Sequence, residues 1–326
     1  MLERMIEVYH SEGATVLTKK ALRMFYERFN RRIVNPLCSF KYDLFEGQGI
    51  DVMAEDWDNL IILDACRYDF FKQESDLSGR LESRISRGAM SWEFMKGNFV
   101  GRKLHDTVYI TANPFVYRLE DEIFHTIIDE PLTKEWDTMR GTVLPNSVTE
   151  AALNAFDQYP NKRLIIHYMQ PHLPPIGDIA DDINERIELS GFDKYHSHSN
   201  KVKQKEGTSL WAAYRKGLID RSTVIAAYRE SLSIVLNSVN ELLDGLNGKS
   251  VITADHGELL GEKPCFLLPK SFGHDNLPRT EKLCKIPWFV VDGGESRRIT
   301  KEPPIKSDSM DQDIAERRLE QLGYKM

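Results

Sequence analysis

The chain has 326 residues, 41% of them hydrophobic, so it can bury a large core and one big α/β domain is the expected organisation. Its formal charge of -7 argues against nucleic acid as a partner, because polyanion binding needs a basic face. Cys38, Cys66, Cys265 and Cys284 form no CxxC pair, no stretch reaches the ~18 apolar residues of a spanning helix, and the N-terminus lacks a signal pattern. Together these predict a soluble protein of a reducing, cytoplasmic compartment.

Residues 1–50 are expected to form a helical extension. Between residues 14 and 34 it carries Lys19, Lys20, Arg23, Arg28, Arg31 and Arg32 against Glu27 alone, interleaved with Val16, Leu17, Leu22, Phe25, Phe29 and Ile33 at helical spacing. Such a basic amphipathic helix suits peripheral contact with an anionic membrane, or packing on the domain with a solvated basic face. A Gly-containing connection at Gly47 and Gly49 then leads into a catalytic domain expected over residues 51–295.

The apolar run Asn59-Leu-Ile-Ile-Leu-Asp64 has the length of a buried strand. Further strands are expected at residues 107–111, 163–167, 250–253 and 287–291. Helical spacing is clearest at residues 147–156 and 221–246, where Val224, Leu232, Val235, Val239 and Leu242 recur. Alternating strands and helices predict a mostly parallel sheet covered on both faces. Residues 177–207 break this rhythm and read as an insertion over the sheet edge, in which His196 and His198 belong to a polar, solvated loop rather than a metal site. A charged tail, expected to be helical, occupies residues 296–326.

Ligands of an open α/β sheet gather at the carboxyl ends of its strands. Three such ends are rich in polar residues: Asp64-Ala-Cys-Arg-Tyr-Asp69, His167-Tyr-Met-Gln-Pro-His172, and Thr253-Ala-Asp255-His256-Gly-Glu258. Phe272-Gly-His274-Asp275 precedes the last strand. Singly, each has a structural explanation as a helix cap, a turn or a hydrogen-bonding histidine. In combination, carboxylate and imidazole make a donor set suited to zinc or manganese rather than calcium or magnesium, and such an ion neutralises charge on a phosphoryl or sulfuryl oxygen.

These ordered motifs, spread over residues 57–292 and most specific at Thr-Ala-Asp-His-Gly-Glu, resemble the alkaline-phosphatase superfamily and its sulfatase-like branch. The resemblance implies that Asp64, Asp255 and His256 hold a divalent cation and that His274 and His172 face the same pocket. Gln170 stands where two-metal relatives carry an Asp, so one metal is expected and a second site is left open. Relatives place the nucleophile at the start of a helix one strand after the first Asp, which selects Ser91, with Ser86 as the weaker candidate. A formylglycine segment Cys/Ser-x-Pro-x-Arg is missing at both Ser91 and Cys66, and Cys66 reads as a small buried residue. Arg67 either contacts the anion or pairs with Asp69.

The expected activity is therefore metal-dependent hydrolysis or transfer of a phosphate ester through Ser91, with His172 and His274 holding substrate oxygens or a second metal. The substrate would be a small-molecule or glycan-linked phosphate or sulfate ester. Two alternatives are a sulfate-ester hydrolase with unmodified serine and a scaffold that keeps the fold without turnover.

Overall fold

The computed structural model describes residues 14–120, 122–187 and 210–305. Its centre is a seven-stranded sheet of β1 (Asn59–Leu63), β2 (Arg80–Ile85), β3 (Leu104–Thr111), β4 (Phe124–Ile128), β5 (Arg163–Tyr168), β6 (Gly248–Ala254) and β7 (Lys285–Gly293). They lie in the order β2-β7-β6-β1-β5-β3-β4. All run in one direction except β7, which is antiparallel to both β6 and β2. This is the mostly parallel α/β sheet expected from the alternating strands and helices.

Leu60, Ile61, Ile62 and Leu63 are all fully buried because β1 lies between parallel β5 and β6 and both its faces are covered. Helices α1 (Ala14–Phe29) and α2 (Asn35–Glu46) precede the sheet, and α3 (Tyr68–Glu74), α4 (Ser91–Asn98), α5 (Pro145–Gln158) and α6 (Arg221–Gly245) surround it. On one face α5 reaches Tyr168 through Thr149, with their hydroxyl oxygens 2.8 Å apart, and Phe71 of α3 packs on Phe289. On the other face Phe94 of α4 meets Phe99, which in turn packs on Tyr109 and Phe124. The long helix α6 starts where the Asp220 carboxylate accepts the Thr223 N–H at 2.7 Å, and it buries Val224, Leu232, Val235, Val239 and Leu242.

Two strands of this sheet escaped the sequence pattern. β2, Arg-Leu-Glu-Ser-Arg-Ile, is a half-buried edge strand whose charges hide its period, and β4 is a short strand at the opposite edge. The proposed insertion begins as a helix, Asp178–Ile187. His196 and His198 lie outside the described residues, as does the tail beyond residue 305. Residues 296–305 cross the amino ends of the strands: the Arg297 guanidinium donates to Asp58 O at 2.9 Å and the Ile305 N–H to His125 O at 2.7 Å.

Helices α1 and α2 join through a π turn, Asn30–Val34, into one arm. The arm is tied to the domain on one side only. Asn35 Nδ2 donates to Asn276 O, Ser39 Oγ accepts the Arg279 N–H, and Arg279 Nε pairs with Asp43 at 2.6 Å. Cys38 and Cys265 also meet there, with Sγ atoms 2.6 Å apart. Among the described residues no helix is long and apolar enough to cross a membrane.

Candidate metal centre

The carboxyl ends of β1, β5 and β6 converge on a buried group of polar side chains. Asp64 follows β1 directly, His167 is the penultimate residue of β5, and Asp255 and His256 follow β6. His256 Nε2 lies 3.5 Å from Asp64 Oδ1 and 3.4 Å from Asp255 Oδ2, and His167 Nε2 lies 3.9 and 3.8 Å from Asp64 Oδ2 and Asp255 Oδ2. All four residues are at most 1% exposed. Asp64 Oδ1, Asp255 Oδ2 and His167 Nε2 have no hydrogen-bond partner although water does not reach them. Leaving three buried polar atoms unsatisfied within one small space is costly unless an ion completes them.

Hydrogen bonds outside the cluster aim these atoms inward. Ala65, in a left-handed conformation with φ 58°, donates its N–H to Asp255 Oδ1 at 3.1 Å, and the His256 N–H donates to the same oxygen at 2.8 Å. Asn113 Nδ2 donates to Asp64 Oδ2 at 2.6 Å. His256 Nδ1 faces the Gly257 carbonyl at 2.8 Å, so Nδ1 carries the proton and Nε2 presents its lone pair to the two carboxylates. Tyr109 Oη holds His167 Nδ1 at 2.7 Å in a similar orienting contact. Gly257 is required by closeness: a Cβ there would strike the Lys282 carbonyl, and its N–H bonds to Leu283 O at 2.7 Å.

The electrostatics favour a cation. Burial and then the Asp255 charge push the Asp64 carboxyl well above its ordinary range, which is the signature of two carboxylates confined without a counter-ion. Burial lowers His167 to about 4 and also lowers His256, keeping both imidazoles neutral, the form that ligates. Two carboxylates and two neutral imidazoles fit zinc or manganese.

Ser91 opens α4 and is fully buried, with Oγ 3.4 Å from Asp64 Oδ2 and 3.3 Å from His256 Nε2. It is the first helical residue rather than the cap, a position held by Met90, so its hydroxyl is not engaged in capping. Gly88 permits this turn, since a Cβ there would collide with the Phe94 N–H. Ser86 is placed differently: its hydroxyl donates to Asp255 O and accepts the Gly88 N–H at 3.1 Å, a structural use.

A second group, His172, Glu258 and His274, adjoins the first. The rings of His256 and His274 are 4.3 Å apart and those of His172 and His274 5.1 Å. His172 Nδ1 donates to Leu173 O at 2.6 Å, which turns the lone pair of Nε2 outward. His274 Nδ1 lies 3.1 Å from Glu258 Oε1. Burial raises Glu258 to about 7 and lowers His172 to about 4.

The structure thus brings together Asp64, Ser91, His172, Asp255, His256 and His274. It does not bring Arg67. That guanidinium is 3% exposed and pairs with Asp69 at 2.7 Å and Glu262 at 2.8 Å, which resolves its two readings in favour of the ion pair. Arg67→Ala should therefore destabilise the fold by about 1–3 kcal/mol, measured by urea denaturation, because it removes a buried side chain and its charge-assisted hydrogen bonds while Asp69 keeps Lys282 and Glu262 keeps Arg221. His167, Glu258 and Asn113 were missed as site residues. Glu258 was signalled by its place three residues after Asp255, whereas His167 reads as part of a strand. Gln170 turns away to donate to Val143 O at 2.9 Å and adds nothing to either group.

No family model and no curated protein matches the chain. Solved structures do. The zinc complex of the C-terminal periplasmic domain of EcEptC from Escherichia coli is 13% identical, with a TM-score of 0.45 and 75% of each chain covered. BT1596, a 2-O GAG sulfatase, is 12% identical with a TM-score of 0.44, covering 76% of this chain and 66% of that one. A protein in the alkaline phosphatase superfamily from Vibrio parahaemolyticus is 11% identical with a TM-score of 0.39, covering 75% and 62%. The sheet, with the buried carboxylate and histidine cluster at its strand ends, defines a mostly parallel α/β protein with a candidate metal centre. The cytoplasmic location expected from the cysteines and the N-terminus is not retained. Its correction is the periplasmic origin of similar domains such as that of EcEptC. The physical reason is that few cysteines and the lack of a spanning helix do not specify a compartment.

Proposed function

We propose that this protein is a metal-dependent phosphoester hydrolase or transferase in which Ser91 is the nucleophile. The observation that carries the reading is that the Ser91 hydroxyl lies within reach of Asp64 Oδ2 and His256 Nε2, in the cluster where Asp64 Oδ1, Asp255 Oδ2 and His167 Nε2 are left unsatisfied. Those four side chains would hold a divalent ion, zinc or manganese, which supplies positive charge to a phosphoryl oxygen and favours the ionised serine hydroxyl. Asp64 Oδ2, within reach of Oγ, would accept the serine proton. Ser91 Oγ then bonds to phosphorus as the bond to the leaving oxygen breaks, giving a phosphoserine. Water or an acceptor hydroxyl attacks that phosphorus in turn and restores Ser91.

His172, His274 and Glu258 adjoin this group. They hold substrate oxygens or a second ion, and the proton on Glu258, retained near pH 7 by burial, is available to a leaving alkoxide. The substrate is a small-molecule or glycan-linked phosphate ester. Purified protein should turn over an aryl phosphate or a bis-aryl phosphodiester, lose that activity to a chelator and regain it with zinc or manganese. Turnover of aryl sulfate alone would replace phosphate with sulfate, and metal binding with no turnover of any of the three would leave a scaffold.

A further inference from the structure

The chemistry at the strand ends makes no use of the arm, yet among the described residues the arm carries most of the exposed large hydrophobic side chains. Of 16 exposed large hydrophobic residues among those described, 10 lie between Leu22 and Phe45. Leu22, Phe25, Phe29, Ile33, Leu37, Phe40 and Leu44 recur every three or four residues, so they form one outward stripe along α1, the π turn and α2. Phe25, Phe40 and Phe45 are about 70% exposed, far beyond ordinary scattered surface residues. Two more, Phe266 at 79% and Leu267 at 51%, follow Cys265, which touches Cys38 of α2, so they extend the apolar surface beside the arm.

We propose that this outward face is a docking surface for an anionic lipid bilayer. Charge selects that occupant. The segment 14–34 carries six basic residues against one acidic in a chain of net charge -7, and Arg32 and Lys41 are exposed along the arm. A second copy of the same face would oppose basic residue to basic residue, whereas anionic headgroups neutralise them. Exposed phenylalanines beside arginines suit the boundary between headgroups and acyl chains.

The mounting of the arm gives the docking a consequence. Its inner side, through Arg31, Asn35 and Ser39, walls a cleft of about 360 Å³ whose other wall includes Met90, Glu93 and His274. Met90 precedes Ser91, and His274 belongs to the second polar group. One helix thickness, about 10–12 Å, therefore separates the lipid-facing stripe from the cleft beside the metal centre. Docking would set that cleft at the bilayer surface, whatever reaction the centre performs.

The test uses the full chain, with vesicles of phosphatidylcholine alone and vesicles of phosphatidylcholine containing about a quarter phosphatidylglycerol. Wild-type protein should sediment with the anionic vesicles at low salt and be released as salt rises. Phe25→Glu combined with Phe40→Glu should lower that partitioning about tenfold or more, while Met139→Glu, at an exposed site away from the arm, should not. Metal content and turnover of a soluble aryl phosphate should stay at wild-type levels in both variants, which separates this surface from the catalytic reading. The proposal is overturned if wild-type protein ignores anionic vesicles or binds neutral ones equally. It is also overturned if the double variant binds as wild type, or if the stripe instead holds a dimer that the variant dissociates.

Discussion

Asp255→Asn should abolish tight metal binding while leaving the metal-free fold at least as stable as wild type. Asparagine keeps the oxygen that accepts the Ala65 and His256 N–H groups, so the backbone support of the site survives. It removes the anionic Oδ2, one of the three unsatisfied atoms, and places an amide there instead. Outer partners of metal ligands alone cost about 10–100-fold in affinity, so loss of a direct ligand should cost more than about 100-fold. The sign for the metal-free protein is opposite. Asp64 is pushed up by burial and by the Asp255 charge, and neutralising Asp255 removes that repulsion. Titration of metal into wild type should raise its stability by about 2.7 kcal/mol at a hundredfold excess over Kd, and the increment should vanish in Asp255→Asn. His167→Asn should reduce affinity too, which tests the ligand that the sequence did not disclose. Unchanged metal content in both variants would refute the ligand set.

What the sequence disclosed follows from where each element lies. The run Leu60–Leu63 was legible because a central parallel strand is buried on both faces and shows no alternation. α6 was legible because a long helix packed on the sheet repeats its apolar face. β2 was not, since an edge strand with Arg80, Glu82 and Arg84 on it matches no apolar template. The reversed direction of β7 is set by pairing with β6 and leaves no mark in Ile-Pro-Trp-Phe-Val-Val. Of the site, Asp64, Asp255 and His256 stand just beyond strand ends, where polarity after an apolar run draws notice. His167 lies inside β5, where its side chain reaches the cluster from the same face as Tyr109, and a histidine within a strand gives no sign of which face it serves. The arm was read as basic and amphipathic through residue 34. Continuation of its apolar face to Phe45 appears only once the π turn is seen to join two helices.

Ser91→Ala should reduce turnover by about 10³-fold or more while leaving the fold and the metal almost untouched. The serine hydroxyl makes long contacts with Asp64 and His256, and it is Met90 that holds the cap position of α4, so removal of the hydroxyl should cost at most ~1 kcal/mol of stability. Catalysis loses far more, because the atom that forms the bond to phosphorus is gone while the groups that hold the substrate remain. Ser91→Thr should retain part of the activity, since the hydroxyl persists but its added methyl must fit a site with no exposed surface. Ser86→Ala is an informative contrast rather than a silent control. Its hydroxyl ties the loop before α4 to the Asp255 carbonyl, so this variant should lose stability and shift activity only through the placement of Asp255 and Ser91. Rapid acid quench of wild type with an aryl phosphate should trap a phosphoryl group on Ser91, identified by peptide mapping, and Ser91→Ala should trap none. Wild-type turnover by Ser91→Ala, with metal still bound, would retain the metal centre and remove the serine from the mechanism, leaving direct attack by water or by the acceptor hydroxyl as the only balanced route to the product.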